Sequence, residues 1–234
     1  PAHSSKPIIL YDWQPSRRAD HPREFLKAFS GIAITDGYQV YHKLSKERPD
    51  LLIGGCWIHA RRPFADFIKS IKGSADGTIA HKAYSLITEM LHINNGFDDL
   101  PSDDRLKQRQ LILTEKVDAY FEWVKLKYNQ VTHNSTIGKA LAYSIHQEPY
   151  LRTFLTDGDV PMDNNYAEQA IRPFTIGRKN FVLIESSNGA RASAMIYSLV
   201  ETAKANYLNV YQYLELLLIE IPKHMNDTNL SFLD

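Results

Sequence analysis

The sequence predicts an α/β protein interrupted by an all-helical insertion, and three observations carry that expectation. Short apolar runs alternate with helical patterns through the first quarter of the chain. From about Ala80 to Leu155 the pattern changes to long helices with no strand candidate. One further strand-like run, Lys179–Ser186, then precedes two closing helices.

Element by element, Pro7–Trp13 is short, β-branched and aromatic and is bounded by Pro15, which reads as a strand. Pro22–Phe29 places Phe25, Leu26 and Phe29 on one helical face, because residues three and four apart share a side. Gly31–Thr35 is an apolar strand ended by Asp36-Gly37, and Tyr38–Lys46 repeats helically through Tyr38, Tyr41 and Leu44. Leu51–Ile58 is another apolar run, followed by a helix from Arg62 to Ile71 through Phe64, Phe67 and Ile68. Within the insertion, Tyr84, Ile87 and Leu91 mark one helix, and Leu113, Val117, Tyr120, Phe121 and Val124 mark another over Leu106–Tyr128. Asp99–Asp104, with Pro101, forms the loop between them, and Asn134 and Ser135 open the next helix. Ser187-Asn188-Gly189 turns into a helix over Ala190–Asn206, and a last helix, Asn209–Ile221, stops at Pro222. The boundaries expected are 1–78 for the first part of an α/β core, 79–157 for the insertion, 158–206 for the second part, and 207–234 for a helix and tail.

With 234 residues and 44% hydrophobic content the chain can bury a core plus a helical insertion. Charged residues cancel to zero net charge, so any nucleic-acid contact must come from local clusters. The single cysteine, Cys56, excludes an internal disulfide and fits a reducing, cytoplasmic compartment. Apolar stretches such as Tyr213–Ile219 fall far short of the roughly 20 residues that span a bilayer, so no membrane partner is expected. The chain opens at Pro1 and enters an apolar run almost at once, as a piece of something longer would. It carries no P-loop, dinucleotide fingerprint or nucleophile elbow.

Two carboxylates stand out. Asp36 ends a strand, where α/β sheets generally bind ligands, although Asp-Gly is also ordinary turn chemistry. Glu168 lies one turn into a helix with Arg172, Arg178 and Lys179 close in sequence, although Asn165-x-x-Glu168 also matches a capping box. A carboxylate among cations could bind a metal and hold a phosphate backbone together. Cys56 and His59 have the spacing of half a zinc site, but no second cysteine exists to complete one. Arg61-Arg62 is a basic pair of the kind that docks phosphates. The stripe Tyr120, Phe121, Val124, Tyr128 is either buried core or a dimer seam, with core the expected use.

Read together, six segments in order carry a resemblance: Y-D-W-Q-P-S-R-R at Tyr11–Arg18, T-D-G-Y at Thr35–Tyr38, C-W-I-H-A-R-R at Cys56–Arg62, P-M-D-N-N-Y-A-E-Q-A-I-R-P at Pro161–Pro173, I-G-R-K-N at Ile176–Asn180 and Y-S-L-V-E-T-A-K-A-N at Tyr197–Asn206. The chain resembles the C-terminal part of a DDE transposase of the insertion-sequence sixty-six group. That resemblance implies a ribonuclease-H-like core with a helical insertion before its last acidic residue. It makes Asp36 and Glu168 the second and third catalytic acids, ligands of Mg2+ or Mn2+. It also implies DNA partners at transposon ends and target, gripped through Arg61, Arg62, Arg172, Arg178, Lys179 and Arg191, and a homo-oligomer on DNA. Cys56, His59, Asn164 and Asn165 become residues that position the site. Gln169 departs from the arginine usual after the glutamate. The first aspartate of the triad would lie upstream of Pro7, so this chain alone is expected to be an incomplete, inactive core lacking its first strand. The competing expectation is a non-catalytic remnant that binds DNA or a partner.

Overall fold

The computed structural model describes residues 6–181, the last four by backbone alone, and 184–226. Contacts divide the chain into two units, one of Arg18–Asn165 and one formed by residues up to 17 together with those from 166 onward.

The first unit begins with α1 (Asp20–Phe25), β1 (Gly31–Thr35), α2 (Gln39–Glu47) and β2 (Leu51–Gly55). The strands pair in parallel with Gly31 opposite Leu51 and Thr35 opposite Gly55, and α2 is the crossover between them. Leu44 of α2 is buried with Leu51 and Ile53 of β2, which fixes the helix on the sheet. Helix α3 (Trp57–Ser70) then starts five residues before the apolar spacing suggests, because Trp57 is itself fully buried. The remaining helices of the unit are α4 (Ile79–Asn95), α5 (Ser102–Gln108), α6 (Thr114–Tyr128) and α7 (Thr136–Leu151). Thr78 and Ser135 cap α4 and α7, each hydroxyl accepting the amide three residues on. The expected loop at Asp99–Asp104 is shorter than read, since α5 begins at Ser102 and runs through a π-helical turn, Arg109–Leu113, directly into α6.

Helices α3, α4, α6 and α7 share one core. Trp57 packs against Tyr120, Phe121 and Phe154 with ring centroids 5.5, 5.8 and 6.3 Å away, and its indole N–H donates to the Leu151 carbonyl at 2.9 Å. Fully burying an apolar side chain of this class stabilises by roughly 1.5–3 kcal/mol. The stripe Tyr120, Phe121, Val124 is therefore core and unavailable as a dimer seam. The helical stretch is no separate bundle, because it closes over the same α3 that follows the strands.

The π turn brings Arg109 inward. Its guanidinium, 1% exposed, donates through Nε to Asn94 Oδ1 at 2.9 Å, while Nη1 faces the carbonyls of Phe154, Asp157, Gly158 and Val160 at 2.8–3.2 Å. Arg105, one turn earlier, donates to the carbonyls of Phe97, Asp98, Leu100 and Gly158. Two buried cations thus satisfy the main-chain acceptors of two irregular segments that no strand or helix could pair.

The second unit holds α8 (Asn165–Phe181, from its second residue), α9 (Ser187–Ala205) and α10 (Val210–Glu220). Two strand expectations are corrected here. Pro7–Trp13 joins no ladder. It runs along α9, where Thr202 Oγ1 bonds both the amide and the carbonyl of Ile9, Ser198 Oγ accepts the Tyr11 amide, and Asn206 Nδ2 donates to the Pro7 carbonyl. Ser198, Thr202 and Asn206 are four residues apart and so line one helix face. Side chains thereby take the groups a neighbouring strand would have taken. Lys179–Ser186 is not a strand either. Its first three residues finish α8, Val182 and Leu183 lie outside the described residues, and Ile184–Ser186 are irregular, with the Ser186 hydroxyl capping α9. Tyr11, Phe174 and Tyr197 form a small aromatic cluster with centroids 5.1–6.1 Å apart.

Candidate functional site

Strand β1 ends in buried Thr35, and the next residue, Asp36, emerges exposed. Asp36 Oδ1 accepts the Tyr38 amide at 3.1 Å, and Gly37 takes φ +87° between them, a region that costs glycine little. The turn chemistry and the exposed carboxylate are thus one feature. The Asp36 backbone carbonyl accepts the Tyr143 hydroxyl at 3.1 Å. An open cavity of about 670 Å³ lies beside it, lined by Asp36, His59, Arg62, Asp66, Thr136 and Tyr143 among others. His59, Arg62 and Asp66 are three and four residues apart on α3, so one helix face supplies that wall.

The segment Cys56–Arg62 divides its work. Cys56 occupies the N-cap position of α3, 2% exposed. Burial pushes its thiol up, while the amides of His59, Asn164 and Ile58 face the sulfur and act the other way. The Trp57 amide donates to the Met162 carbonyl at 2.9 Å, so the junction of β2 and α3 is tied to the residues leading into α8. Arg62 Nη1 lies 3.2 Å from His59 Nε2 on the cavity side. Arg61 turns instead to α4, donating to Thr88 Oγ1 at 3.1 Å with its guanidinium 5.2 Å from the Tyr84 ring centre. The buried thiol is not presented as a zinc ligand, and among the described residues no group of three or more His, Cys, Asp or Glu could hold a metal. For a hard divalent cation the donor chemistry at Asp36 does fit, since an exposed carboxylate oxygen is the ligand such ions take.

Asp163 sets the start of α8. Its Oδ1 accepts the Asn165 amide at 2.9 Å and its Oδ2 accepts Asn165 Nδ2 at 3.1 Å. Asn165 is consequently the first helical residue, not the cap that the Asn165-x-x-Glu168 spacing suggests. Asn164 Oδ1 is buried with no hydrogen-bond partner among the described residues.

Within the second unit, Glu168 is half-buried in the first turn of α8, and Arg172 follows four residues later, exposed. Arg178 and Lys179 also lie on α8, with side chains outside the described residues. Arg191 is exposed near the start of α9, its guanidinium 6.0 Å from the Trp13 ring centre.

The structure therefore brings Asp36, His59 and Arg62 to one cavity and joins Cys56 to the Asn164 amide at the start of α3. Sequence reasoning missed Asp66, Thr136 and Tyr143. Asp66 was legible as the next residue on the His59–Arg62 face; the α7 residues lie more than 90 positions from Asp36 in the chain and carry no local signal.

No solved structure matches the chain. Three uncharacterized proteins of Sinorhizobium fredii do. They are y4qI, 31% identical over 93% of this chain, y4jD, 28% over 89%, and y4hP, 26% over 94%. The chain spans about two fifths of the length of each, 41–42%. The sequence profile of the transposase IS66 family matches residues 1–192, a stretch that takes in the Asp36 turn, the Cys56–Arg62 helix start and the Asp163–Glu168 segment. The chain belongs to the IS66 family of transposases.

Proposed function

We propose that this chain forms part of the catalytic region of a transposase that cuts DNA at the ends of an insertion sequence and joins them to a target. The observation that carries the reading is an exposed carboxylate at the carboxyl end of β1, Asp36, sharing a cavity with His59 and Arg62 in a chain of this family. In this reading β1, α2 and β2 are a portion of a ribonuclease-H-like core. Asp36 and Glu168 are its second and third acids, by their order in the family's motifs. Mg2+ or Mn2+ held by such carboxylates would supply neutralisation of the phosphate charge and activation of the attacking oxygen.

The residues of the chain do the remaining work. Arg62 offers a planar, always charged donor fork at the cavity, suited to a phosphate oxygen. Arg172 and Arg191 are exposed cations of the second unit, proposed with Arg61, Arg178 and Lys179 as grips on the DNA backbone. Attack by water on the phosphorus breaks the bond to the 3′ oxygen and leaves a 3′ hydroxyl. That hydroxyl then attacks the phosphorus of a target phosphodiester, forming a new P–O bond and breaking the bond to the target strand's 3′ oxygen, which leaves as a 3′ hydroxyl. A homo-oligomer on DNA fits the need to hold two ends together. No described helix is long and apolar enough to cross a membrane.

The test is end cleavage by the complete protein carrying Asp36→Asn or Glu168→Gln. Each substitution is expected to abolish cleavage while end binding persists. Cleavage retained by either variant removes that residue from the proposed set.

A further inference from the structure

Helix α7 reaches the Asp36 turn through side chains that leave little freedom. The Tyr143 hydroxyl donates to the Asp36 carbonyl at 3.1 Å. A Cβ added to Gly37 would lie 2.6 Å from the same hydroxyl oxygen and 3.3 Å from Gln147 Cδ and Oε1. Gln147 is only 7% exposed, and its Oε1 has no hydrogen-bond partner among the described residues. The Thr35 hydroxyl, just before the turn, is likewise buried and has no partner among the described residues. One turn further along α7, Tyr150 stacks flat on His42 of α2, centroids 3.8 Å apart. Helix α7 thus meets the Asp36 turn, α2 and β2, while Tyr143 also lines the cavity.

We propose that Tyr143 is a positioning residue for Asp36: its hydroxyl, with Gln147 packed beside Gly37, fixes the turn so that the carboxylate is presented to the cavity. This rests on the reading of Asp36 as a metal ligand. The physical ground is that, among the described residues, the Asp36 carboxylate holds its own turn through the Tyr38 amide, a local bond that exists in many turn geometries. The Tyr143 bond is long-range and selects one of them. The glycine at 37 serves twice, since it tolerates φ +87° and leaves room for the hydroxyl. A helix distant in sequence therefore sets the aim of a ligand it does not itself provide.

Manganese titration of the complete protein, with free Mn2+ read by electron paramagnetic resonance, tests the proposal. Asp36→Asn comes first: loss of the tight manganese component supports the underlying reading, and its retention overturns that reading and the proposal with it. Tyr143→Phe then removes one oxygen and keeps the ring. Outer partners of metal ligands typically change affinity about 10- to 100-fold, and a bond to the main chain belongs at the low end, so about tenfold weaker manganese binding is expected. Gly37→Ala perturbs the same contact from the loop side and should weaken binding in the same direction. A purely structural tyrosine would lower the melting temperature without moving the manganese affinity. If Asp36→Asn loses the tight component but both other variants, folded by circular dichroism, bind manganese within about twofold of the parent, the positioning role is refuted and the reading of Asp36 stands.

Discussion

Replacing Arg109 with methionine keeps the length of the side chain and removes the charge and all its donors. In the native chain Nε serves Asn94 Oδ1, and Nη1 lies within 3.2 Å of four carbonyls, of which its two hydrogens can fully serve about two at once. The substitution therefore strands about three buried acceptors, and each one left unsatisfied costs about 1–3 kcal/mol. Two effects reduce that sum. Arg105 still donates to the Gly158 carbonyl at 2.9 Å, and the cost of burying the cation disappears. That cost is evident in the guanidinium itself, whose pKa burial and neighbouring Arg105 pull down to about 10, still charged at neutral pH. A net loss of about 3 kcal/mol follows, a large share of the roughly 5–15 kcal/mol that holds a domain together. Urea unfolding read by tryptophan fluorescence measures it, in a Trp13→Phe background so that the signal comes from Trp57 and Trp123, which lie in the same unit as Arg109. A loss below about 1 kcal/mol with an unchanged m-value would show that the carbonyls find other partners, and would refute the reasoning.

Two further outcomes are expected. Gly158→Ala should cost about 2 kcal/mol, because the new methyl lands on the Ser102 carbonyl, 2.6 Å from its carbon, and backbone must yield; the same urea midpoint checks it. Burial raises the Tyr143 phenol to about 12, with Cys56 and Asp36 adding to the rise and Arg62 opposing it. Between the unfolded value of about 10 and that folded value the native state holds more protons than the unfolded one, so its stabilising contribution is complete below pH 10 and lost as pH climbs toward 12. Stability measured between pH 9 and 11 should fall more steeply in the parent than in Tyr143→Phe, and parallel curves would contradict this.

What the sequence revealed follows the range over which each determinant acts. Gly31–Thr35 became β1 without adjustment, and the helix starts expected at Ser135 and Asn209 hold to within a residue, both side chains serving as caps, because an apolar run closed by Asp-Gly and a hydroxyl or amide before a helix are local signals. Pro7–Trp13 has strand composition, yet a strand also needs a neighbour. Here Ser198, Thr202 and Asn206, nearly two hundred positions away, supply the hydrogen bonds instead. Lys179 shows the opposite failure, since the helix begun at Asn165 passes Pro173 and continues to Phe181. The proline near its middle does not end it. At the candidate site, Asp36, His59 and Arg62 were legible from spacing and motif, whereas Tyr143 was not, because nothing in the sequence around it points to a carbonyl on another element.

The same contrast explains why the helical segment cannot be regarded as an appendage of the strand-bearing part. Arg105 and Arg109 gather the carbonyls of residues 97–100 and 154–160, and the chain leaving that knot runs straight to Met162, whose carbonyl takes the Trp57 amide at the start of α3. Cys56 meets the Asn164 amide at the same junction, and Asp163 sets the first turn of α8. On the other side, α7 reaches Asp36 through Tyr143. Both the strand-end turn and the stretch leading into α8 are thus anchored by groups from α7, from α5 and from the π turn that follows it. A variant that loosens the buried arginines should therefore disturb the Cys56–Asn164 junction before it disturbs β1 and β2, since the arginines hold main-chain acceptors as far as Val160, two residues before Met162, and none in either strand.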